Sequence, residues 1–510
     1  MNELLAALSR LGPQLADHVL LSAAAIALGI LIALPLAVWA TRSAAVARVA
    51  LGFASLVQTI PALALLALFF PVLLALRALF GPDLPTLGFL PAWLALSLYA
   101  LLPILRNAVT AQANIDPGAL EAADGVGMTA WQKLRLVEAP LAAPYVMAGI
   151  RTASVWTIGA ATLATTIGQR SLGDPIFAGL QTQNWALVLA GCFASAALAL
   201  VADALFGLVE RGLATRQPAL AWVGIGLALA GLAAAFVATR AGERDVVVVG
   251  AKNFAEQYIL ARLIGQRLED AAFAVEYREG LGSAVIHDAL TSGAIDVYVD
   301  YSGTIWANAM GRSEPLPREA MIARIAAWEE ETSGTRVMGT LGFENAYAFA
   351  MRPERAAALG VTSLADLAPR TRSLVAGGDV EFFERPEWTR VRDAYGLNFA
   401  RLRNFTATFM YDALLSGEAD IITAFSSDGR IAADNLVLLE DPRGALPGYD
   451  ALLLVTPGRA EDRAFLAALR PLMGAIPVEA MREANYSVDR TQDKRTPAQA
   501  AEALGARIGD

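Results

Sequence analysis

The chain has 510 residues, of which 56% are hydrophobic and 17% charged, so it is long enough for two or more domains and apolar as a whole. Its net charge of −9 at pH 7 argues against a nucleic-acid partner. The single cysteine, Cys192, excludes a disulfide within the chain, and two histidines with one cysteine cannot build a Cys/His zinc cluster. The sequence therefore predicts neither a metal nor another cofactor.

The apolar excess is concentrated before about Thr239, where runs with few charges are long enough to cross about 30 Å of hydrocarbon. We predict six membrane spans, at residues 19–41, 49–76, 84–105, 152–169, 185–209 and 218–239. Arginine and lysine favour cytoplasmic loops, and Arg106, Lys133 and Arg135 flank the loop between the third and fourth spans. This loop is therefore expected in the cytoplasm. Six spans then place the N-terminus and everything after Thr239 on the outer side of the membrane.

Two ionisable residues, Arg151 and Asp203, lie within or beside the fourth and fifth predicted spans. A charge at membrane depth indicates a functional site by default. Both residues lie near the predicted cytoplasmic ends of their spans, however. Snorkelling of the side chains to the interface, or pairing between helices, is therefore the stronger expectation, and contact with a transported solute is the weaker one.

The polar segment after the third span reads EAADGVGMTAWQKLRLVEAP from Glu121 to Pro140. It resembles the EAA loop of ABC-importer permeases, in which EAA, three residues, Gly, nine residues and I-x-L-P follow one another. The spacing is kept, although Val137 replaces Ile and Ala139 replaces Leu. The resemblance implies a short cytoplasmic helix, over about residues 118–134, that docks on an ATPase subunit. The implied docking residues are Glu121, Ala122, Ala123, Gly127 and Pro140.

The chain contains no G-x-x-x-x-G-K-[ST] sequence, so ATP hydrolysis is expected on a separate cytoplasmic ABC ATPase subunit. No pattern of nucleophile, histidine and acid indicates that the chain itself is an enzyme. The resemblance to permeases implies a homodimer of this chain with two ATPase subunits, located in a bacterial cytoplasmic membrane.

After a polar linker at residues 240–244 the sequence takes the composition of a soluble protein. The valine run from Val246 to Val249 predicts a buried parallel strand, and residues 255–270 predict an amphipathic helix. Further strands are predicted at residues 294–300, 346–351, 373–376 and 420–425, and further helices at 318–332, 388–395, 410–416 and 460–473. This alternation is typical of an α/β domain with mostly parallel sheets, and its length suits two lobes.

Three segments resemble motifs of the extracellular binding proteins that take osmoprotectants such as glycine betaine, carnitine and choline. They read GAKNFAEQ from Gly250, IDVYVDYSGT from Ile295 and DIITAFSSDGR from Asp420, in the order that the family has. The resemblance implies a multi-domain chain. An all-α transmembrane permease domain, at about 1–240 with its docking loop at about 116–140, precedes an α/β two-lobed domain of the periplasmic-binding-protein type at about 241–510. Its lobes are expected at about 245–344 with 450–510, and at 345–449.

Ligands of this family lie between the lobes in a box of aromatic rings, which bind a quaternary ammonium group through their π faces. The walls that the resemblance implies here are Tyr301, Tyr347, Phe425 and Tyr449. Phe425 departs from the family's usual tyrosine, which keeps the π face but loses a hydroxyl. Tyr298 points to the opposite face of its strand from Tyr301 and is predicted to be a core residue.

Four further residues are implied as ligand contacts. Asn345 falls where the family has an acidic or amide group beside the cation. Lys252 and Arg385 match positions that serve the ligand's carboxylate, and Thr304 adds a hydroxyl. Arg385 has the alternative role of latching the two lobes together on closure.

The sequence therefore predicts the permease and solute-receptor subunit of an ATP-driven ABC importer for quaternary ammonium compounds. The compound is left open, because glycine betaine, choline and carnitine all carry a methylated cation, as does ergothioneine, another betaine-like solute. A membrane receptor that senses a solute without transporting it is the alternative from a different class. Co-purification of an ATPase subunit discriminates between the two, since such a receptor has no motor to dock.

Overall fold

The computed structural model describes residues 2–81, 84–182, 184–240, 246–312, 314, 316–379, 382–490 and 492–509. The chain forms two compact units, Met1–Phe177 with Trp185–Glu243 and Ala178–Asn184 with Arg244–Asp510. Residues 241–244, which make up most of the predicted linker, lie outside the described residues.

The described part of the N-terminal half is helical, as its apolar composition predicts. Its α-helices are α1 Asn2–Ser9, α2 Gly12–Arg42, α3 Ala44–Thr59, α4 Ala62–Phe80, α5 Phe89–Ala113, α6 Pro117–Gly125, α7 Ala130–Lys133, α8 Ala139–Ala161, α9 Gly173–Gln181, α10 Trp185–Ala214 and α11 Pro218–Arg240. A π-helical turn at Leu134–Glu138 leads into α8, and a 3₁₀ helix at Thr162–Ile167 follows it.

Helix α5 packs against α2 and α8, α8 packs against α10, and α11 packs against α10. Small residues such as Ala33, Ala100 and Ala153 are buried in this unit. Small side chains let helices approach closely, which matters in lipid because hydrocarbon supplies no hydrophobic driving force between helices. Large apolar side chains such as Leu31 and Trp222 are exposed instead. This distribution is that of a helical bundle with an apolar outer surface.

Within the described residues, four helices are long and apolar enough to cross a membrane: α2, α5, α10 and α11. Helices α3 and α4 add a fifth span if they cross as one bent element, because they meet at an angle of 104°. The bend lies at Pro61, which lacks an N–H group and stands at the N-cap of α4. The predicted second span is therefore two helices.

The span predicted at residues 152–169 is wrong in its position. Helix α8 begins at Ala139, inside the segment that the sequence indicated as a loop, and ends at Ala161 before the 3₁₀ helix. It is not among the helices that are long and apolar enough to cross. The absence of charge does not determine where a helix begins, and the alanine-rich residues before Arg151 favour helix although they precede the uncharged run.

Arg151 on α8 pairs with two carboxylates of α10. Its Nη2 donates to Asp203 Oδ2 at 2.7 Å, its Nε to Asp203 Oδ1 at 2.5 Å and its Nη1 to Glu210 Oε2 at 3.2 Å. Two parallel bonds from one guanidinium to one carboxylate are a strong, oriented contact. Pairing between helices, which is part of the stronger expectation, is therefore confirmed.

The second unit alternates strands and helices after residue 245. Its strands are β1 Val246–Lys252, β2 Ala274–Leu281, β3 Val297–Tyr301, β4 Arg336–Glu344, β5 Tyr347–Met351, β6 Val375–Asp379, β7 Arg401–Phe405, β8 Ile421–Phe425, β9 Val437–Leu439 and β10 Asp450–Val455. Its α-helices are α12 Ala255–Asp270, α13 Ser283–Thr291, α14 Ser302–Thr304, α15 Arg318–Thr332, α16 Pro353–Leu359, α17 Leu364–Leu367, α18 Pro386–Tyr395, α19 Ala407–Ser416, α20 Arg430–Ala433, α21 Arg463–Leu469, α22 Val478–Asp489 and α23 Pro497–Ile508.

The strands of this unit form two five-stranded sheets, in the orders β2-β1-β3-β10-β4 and β7-β6-β8-β5-β9. In each sheet two pairings are parallel and two are antiparallel, so the prediction of mostly parallel sheets is wrong. The antiparallel strands lie next to the two crossings between the sheets, from β4 to β5 and from β9 to β10. A strand that enters a sheet at the edge where the chain crosses over is antiparallel to the strands whose C-terminal ends lie at that edge.

The helices of this unit follow the predicted bounds in part, and side-chain capping explains where one of them begins. Helices α12 and α15 have the predicted bounds, whereas the helix predicted at 460–473 is the shorter α21 followed by a 3₁₀ turn. The side chain of Asp462 caps the first turn of α21 by accepting from Phe465 N, and Pro471 follows the last turn. The core of the unit lies against the two sheets, and β10 is buried along its whole length.

Candidate solute-binding cavity and docking loop

All eight residues predicted to contact a ligand line one cavity in the second unit. They are Lys252, Tyr301, Thr304, Asn345, Tyr347, Arg385, Phe425 and Tyr449. The empty volume of the cavity is about 700 Å³, counting the space open to solvent. The structure thus brings the predicted set together, and binding by these residues stays a prediction.

Strand ends place these side chains. In the first sheet β1 ends at Lys252 and β3 ends at Tyr301, and because the two strands are parallel they end at the same edge. In the second sheet β8 ends at Phe425, and the antiparallel β5 begins directly opposite it at Tyr347. The chain crosses from β4 to β5 through Asn345, whose N–H donates to the carbonyl oxygen of Tyr449 at 2.8 Å. The cavity is therefore built where the edges of both sheets meet the crossing.

Four rings of the cavity, which we call the aromatic box, are those of Tyr301, Tyr347, Phe425 and Tyr449. The centroid of the Tyr347 ring lies 5.1 Å from that of Phe425 and 5.4 Å from that of Tyr449, to which it is nearly perpendicular at 87°. A Cβ atom at Gly303 would lie 2.7 Å from the Tyr449 ring, so the motif glycine admits this ring against the end of β3. Tyr301 stacks on Phe254, which also lines the cavity.

Each tyrosine of the aromatic box donates its hydroxyl to a buried carboxylate. Tyr301 donates to Glu256 Oε1 at 2.5 Å, and Tyr347 donates to Asp379 Oδ2 at 2.7 Å. Tyr449 donates to Glu387 Oε1. Burial, and then the neighbouring carboxylate, raises the pKa of all three tyrosines well above the usual range. The hydroxyls therefore stay protonated and act as donors.

The Glu256 carboxylate connects the aromatic box to the crossing and to the C-terminal helices. Besides Tyr301, it accepts from Asn345 Nδ2 at 3.1 Å and from Asn485 Nδ2 at 2.7 Å. Burial raises the pKa of Glu256, against the opposing effect of hydrogen bonds from Ser427, Tyr301 and Asn485. No donor among the described residues reaches Asn345 Oδ1. The buried amide oxygen of this cavity residue is thus an acceptor without a protein partner in that part of the chain.

Lys252 forms a buried ion pair with Asp300, with exposed fractions of 3% and 2% for the two side chains. Asp300 also accepts from the hydroxyl of Tyr298 at 2.7 Å and from the N–H of Tyr301 at 2.7 Å. Tyr298 is fully buried, which confirms the prediction that it is a core residue. The ammonium lies 5.4 Å from the centroid of the Tyr301 ring. The charge of Lys252 is therefore already matched inside the protein.

Arg385 stands at the N-cap of α18, and its guanidinium carbon lies 5.7 Å from the centroid of the Tyr347 ring. It also hydrogen-bonds the hydroxyl of Tyr449. Thr304 lies in the short helix after β3 and is buried. Arg385 consequently brings a positive charge to the edge of the aromatic box, beside the rings themselves.

Sequence reasoning missed several residues of the cavity. Asp379, Phe254, Ser283 and Thr406 also line it. Asp379 has a visible signal, because it ends β6 just as Tyr301 ends β3. Phe254 stands inside the first binding-protein motif, where an aromatic next to Asn253 could have been included in the set. Glu387 carries no motif, and only the fold brings it to Tyr449.

The segment predicted to dock an ATPase, which we call the docking loop, is two short helices rather than one. Helix α6 begins at Pro117 with Asp116 at its N-cap and ends at Gly125. Gly127 has a φ of +76°, a left-handed conformation that favours glycine and turns the chain. Helix α7 then begins after Thr129, which forms a capping box with Gln132.

The two arms of the docking loop are joined by an ion pair between Lys133 Nζ and Asp124 at 2.8 Å. Four of the five predicted docking residues, Glu121, Ala122, Gly127 and Pro140, are exposed, whereas Ala123 is buried. Large apolar side chains are exposed on the same segment, at 73% for Val126 and 67% for Trp131, and the sequence analysis missed both. Such a surface suits a partner, and the identity of that partner stays a prediction at this point.

Comparisons with known proteins cover both halves of the chain. Residues 245–504 match the family described as substrate binding domain of ABC-type glycine betaine transport system, and residues 25–215 match binding-protein-dependent transport system inner membrane component. The chain is 29% identical over 468 residues to the ergothioneine transport permease/ergothioneine binding protein EgtU of Helicobacter pylori strain G27, covering 88% of this chain and 82% of that protein.

Two further similarities concern one half each. Over 215 residues the chain is 40% identical to the glycine betaine/carnitine/choline transport system permease protein OpuCB of Bacillus subtilis strain 168, covering 41% of this chain and 94% of that protein. A solved structure described as a glycine betaine/carnitine/choline ABC transporter is 25% identical, with a TM-score of 0.45, and the match covers 52% of this chain and 98% of that one.

Proposed function

Because the chain belongs to the ABC importers of the glycine betaine type, as the fusion of a permease to a substrate-binding domain, we propose that it imports a quaternary ammonium compound such as glycine betaine, choline or carnitine. Neither of its domains is catalytic, and ATP hydrolysis belongs to a separate ABC ATPase subunit. The transported solutes are osmoprotectant-like small molecules. Beyond this solute class, the proposal adds the chemical identity of the compound.

The aromatic box carries this proposal. A quaternary ammonium group has no hydrogen-bond donor and a diffuse charge, so aromatic faces bind it better than single acceptors do. The four box residues all line one cavity, and the ring of Tyr347 lies within 5.4 Å of those of Phe425 and Tyr449, centroid to centroid. These rings supply the faces that a methylated cation needs, and the polar side chains that also line the cavity are available to the rest of the ligand.

The other end of the ligand is assigned to Arg385. A planar guanidinium pairs well with a carboxylate, and Arg385 lies beside the aromatic box. Lys252 is held by Asp300, so its contribution to a carboxylate is the smaller of the two. Thr304 supplies a hydroxyl and Asn345 an amide oxygen next to the cation. These roles suit a zwitterion with its cation among the rings.

Transport requires coupling to the motor and an outward-facing receptor. We assign the docking loop, at about 116–140, to the ATPase surface, with this chain as a homodimer on two ATPase subunits. Helix α8 packs between α5 and α10, so we count it as a crossing together with the bent pair α3–α4. Six crossings of a bacterial cytoplasmic membrane then put the permease domain, residues 1–240, in the bilayer and the binding domain, 241–510, outside.

Ergothioneine is the second candidate ligand. The observation that favours it is the Helicobacter pylori relative, which joins permease and binding protein as this chain does and is aligned over 82% of its length. Ergothioneine also carries a trimethylated cation beside a carboxylate, so the same two ends of the cavity serve it. A solute-sensing receptor without transport is the alternative outcome, and it predicts that no ATPase subunit co-purifies with the chain.

The experiment is calorimetry of the purified full-length chain in nanodiscs against glycine betaine, choline, carnitine, ergothioneine and, as controls, glycine and glutamine. Binding of one or more methylated cations, without binding of the two control amino acids, supports the proposal. Binding of an amino acid alone contradicts it and reassigns the cavity to a polar solute held by Arg385 and backbone groups.

A further inference from the structure

The repeated contact between box tyrosines and carboxylates has a consequence for ligand choice, which rests on the function proposed above. Three carboxylates, on α12, on β6 and on α18, each accept the hydroxyl of a different tyrosine of the aromatic box. All three are buried: Glu256 is 3% exposed, Asp379 8% and Glu387 1%. They come from separate elements of the fold, so a single motif does not account for the repetition.

A tyrosine that donates to an anion presents a more negative π face than a free one, because the electron density of the ring rises as the hydroxyl hydrogen is drawn to the acceptor. The carboxylate also acts directly through space, since charges in a dry interior are screened little. Both effects favour a cation in front of the ring. Phe425, the fourth wall, has no hydroxyl and lacks this contact.

The charges around the cavity show why carboxylates are needed behind the rings. Two cations, Lys252 and Arg385, line the cavity, and the guanidinium carbon of Arg385 lies 5.7 Å from the Tyr347 ring. Alone they would repel a quaternary ammonium group. Asp300 neutralises Lys252. Three carboxylates remain, those of Glu256, Asp379 and Glu387. When they are ionised, they outnumber the single charge of Arg385.

We propose that Glu256, Asp379 and Glu387 are positioning residues that hold the box tyrosines, and that the charges of Asp379 and Glu387 make the potential inside the box negative. They thereby restrict the site to ligands that carry a permanent positive charge, rather than to any solute of the same shape. Arg385 can then bind a ligand carboxylate without expelling the ammonium end.

Glu387 permits the cleanest test. Its Oε1 accepts from Tyr449, and no donor among the described residues reaches its Oε2. In Glu387→Gln the amide oxygen can keep the bond to Tyr449 while the new NH₂ group takes the other position without meeting a donor. The substitution therefore removes the charge and leaves the shape. Glu256 is less suitable, because a donor reaches each of its two oxygens. The NH₂ group of a glutamine at this position would face one of those donors.

The measurement uses the full-length chain in nanodiscs with two matched pairs of probes. They are choline with 3,3-dimethyl-1-butanol, and glycine betaine with 3,3-dimethylbutanoate; in each pair a neutral tert-butyl group replaces trimethylammonium. At an effective dielectric constant of about 20, loss of one charge behind a ring should weaken binding of the cation about tenfold. By the same argument the uncharged 3,3-dimethyl-1-butanol should change less than about twofold, and the anion 3,3-dimethylbutanoate should bind as well as before or better. Glu483→Gln, an exposed glutamate on α22 that pairs with Arg507, is the matched control.

Equal losses for the trimethylammonium and tert-butyl members of a pair overturn the inference, because Glu387 would then act on shape alone. Unchanged affinity for both cations in Glu387→Gln, while Tyr449→Ala still weakens them, overturns it too and leaves the proposed function standing. If Glu387→Gln does not fold, Asp379→Asn is tested for the same selective loss, with the amide oxygen facing the N–H of Phe382 and the NH₂ group facing the hydroxyl oxygen of Tyr347, which can accept as well as donate. A wild-type chain that binds none of the methylated cations refutes the proposed function itself.

Discussion

In the docking loop the motif residues are mostly exposed, whereas in the aromatic box they are buried and bonded. Glu121 and Ala122 lie on the surface of α6, and the loop's shape depends on one turn at Gly127 and one ion pair between its arms. The box tyrosines Tyr301 and Tyr347 are at most 7% exposed, and each hydroxyl has a carboxylate partner.

The difference separates two kinds of functional surface. The cavity can recognise a small molecule with groups that this chain already holds in position. The docking loop requires the surface of another protein to give its residues a role. Substitutions in the loop should therefore affect transport and spare binding, and substitutions in the box should affect binding first. The predictions below test this separation, starting with the largest effect.

Substitution in the docking loop should abolish uptake. In Gly127→Leu a side chain is forced onto a residue whose φ is +76°, and Glu121→Lys reverses an exposed charge. Both variants should lose solute uptake and stimulation of the ATPase, with the affinity for solute unchanged. Gly125→Ala is the control, since no atom lies within 4 Å of the position of its Cβ and its φ is not positive. Normal uptake in both variants would rule out the docking assignment.

The loop and the cavity should lie on opposite sides of the membrane. With Cys192 replaced by alanine, a cysteine at Gly509 should react with an impermeant maleimide in intact cells, and a cysteine at Gly125 should react only after the membrane is opened. The reason is the count of six crossings, which depends on α8 being one of them. Protection of both positions in intact cells would mean that an even number of crossings separates them, so that α8 is not one of them; labelling of position 125 alone would mean that the orientation is reversed.

Removal of one wall of the aromatic box should weaken binding of the cation by about 1–2 kcal/mol, or about five- to thirtyfold. Tyr301→Ala, Tyr347→Ala and Tyr449→Ala are the test variants, measured by calorimetry on the full chain. The corresponding phenylalanine variants should lose less, because the π face survives. Tyr486→Ala, a half-exposed tyrosine of α22 outside the cavity, is the control. A flat response in folded variants would show that no caged cation is bound.

The sequence predicted the site better than it predicted the elements that carry it. The resemblance to the binding-protein family selected eight residues that the fold brings to one cavity, four of them within the three motifs, although Lys252 and Tyr449 are almost 200 positions apart in the chain. Each motif contains the end of a strand, and strand ends are where ligand-facing side chains lie in α/β sheets. A motif therefore indicates which residues lie at the edge of a sheet even when the strand order is unknown.

The carboxylates behind the rings could not be predicted in the same way. Glu387 lies on α18, 62 positions before Tyr449 in the loop that precedes β10, so nothing local links the two. The prediction of mostly parallel strands was wrong for a related reason. Alternation of strands and helices says that crossovers exist, but not that the chain leaves one sheet for the other between β4 and β5. The misplaced span at 152–169 shows that an uncharged run indicates residues at membrane depth but does not indicate where the helix begins or ends.

Arg385→Ala should separate ligands by their anionic end. Loss of a charge-assisted pair with a carboxylate should weaken glycine betaine by about tenfold or more. Choline lacks a carboxylate and should bind as well as before or better, because the substitution removes a positive charge 5.7 Å from the Tyr347 ring. Arg507→Ala, an exposed arginine on α23, is the control. Equal losses for both ligands would assign Arg385 to latching the lobes instead.

The last prediction concerns stability rather than binding or transport, and comes from Asp489 at the end of α22. Burial raises the pKa of this carboxyl to about 6, with the opposite charges of Arg430 and Lys494 lowering it and the like charges of Asp428 and Glu256 raising it. A carboxyl whose pKa is higher folded than unfolded stabilises the fold most when protonated, below about 4, and loses that contribution as pH rises through about 6.

The full effect is about 3 kcal/mol, or about 5 °C in the unfolding midpoint. The amide introduced by Asp489→Asn does not titrate, so the midpoint of this variant minus that of wild type should be more positive at pH 7 than at pH 4. Differential scanning fluorimetry of the full chain at both values measures it, with Glu483→Gln as the control for a carboxylate in solvent. A difference that stays constant between the two pH values would mean that Asp489 is charged throughout, held by Arg430, and that burial is not the dominant influence on it.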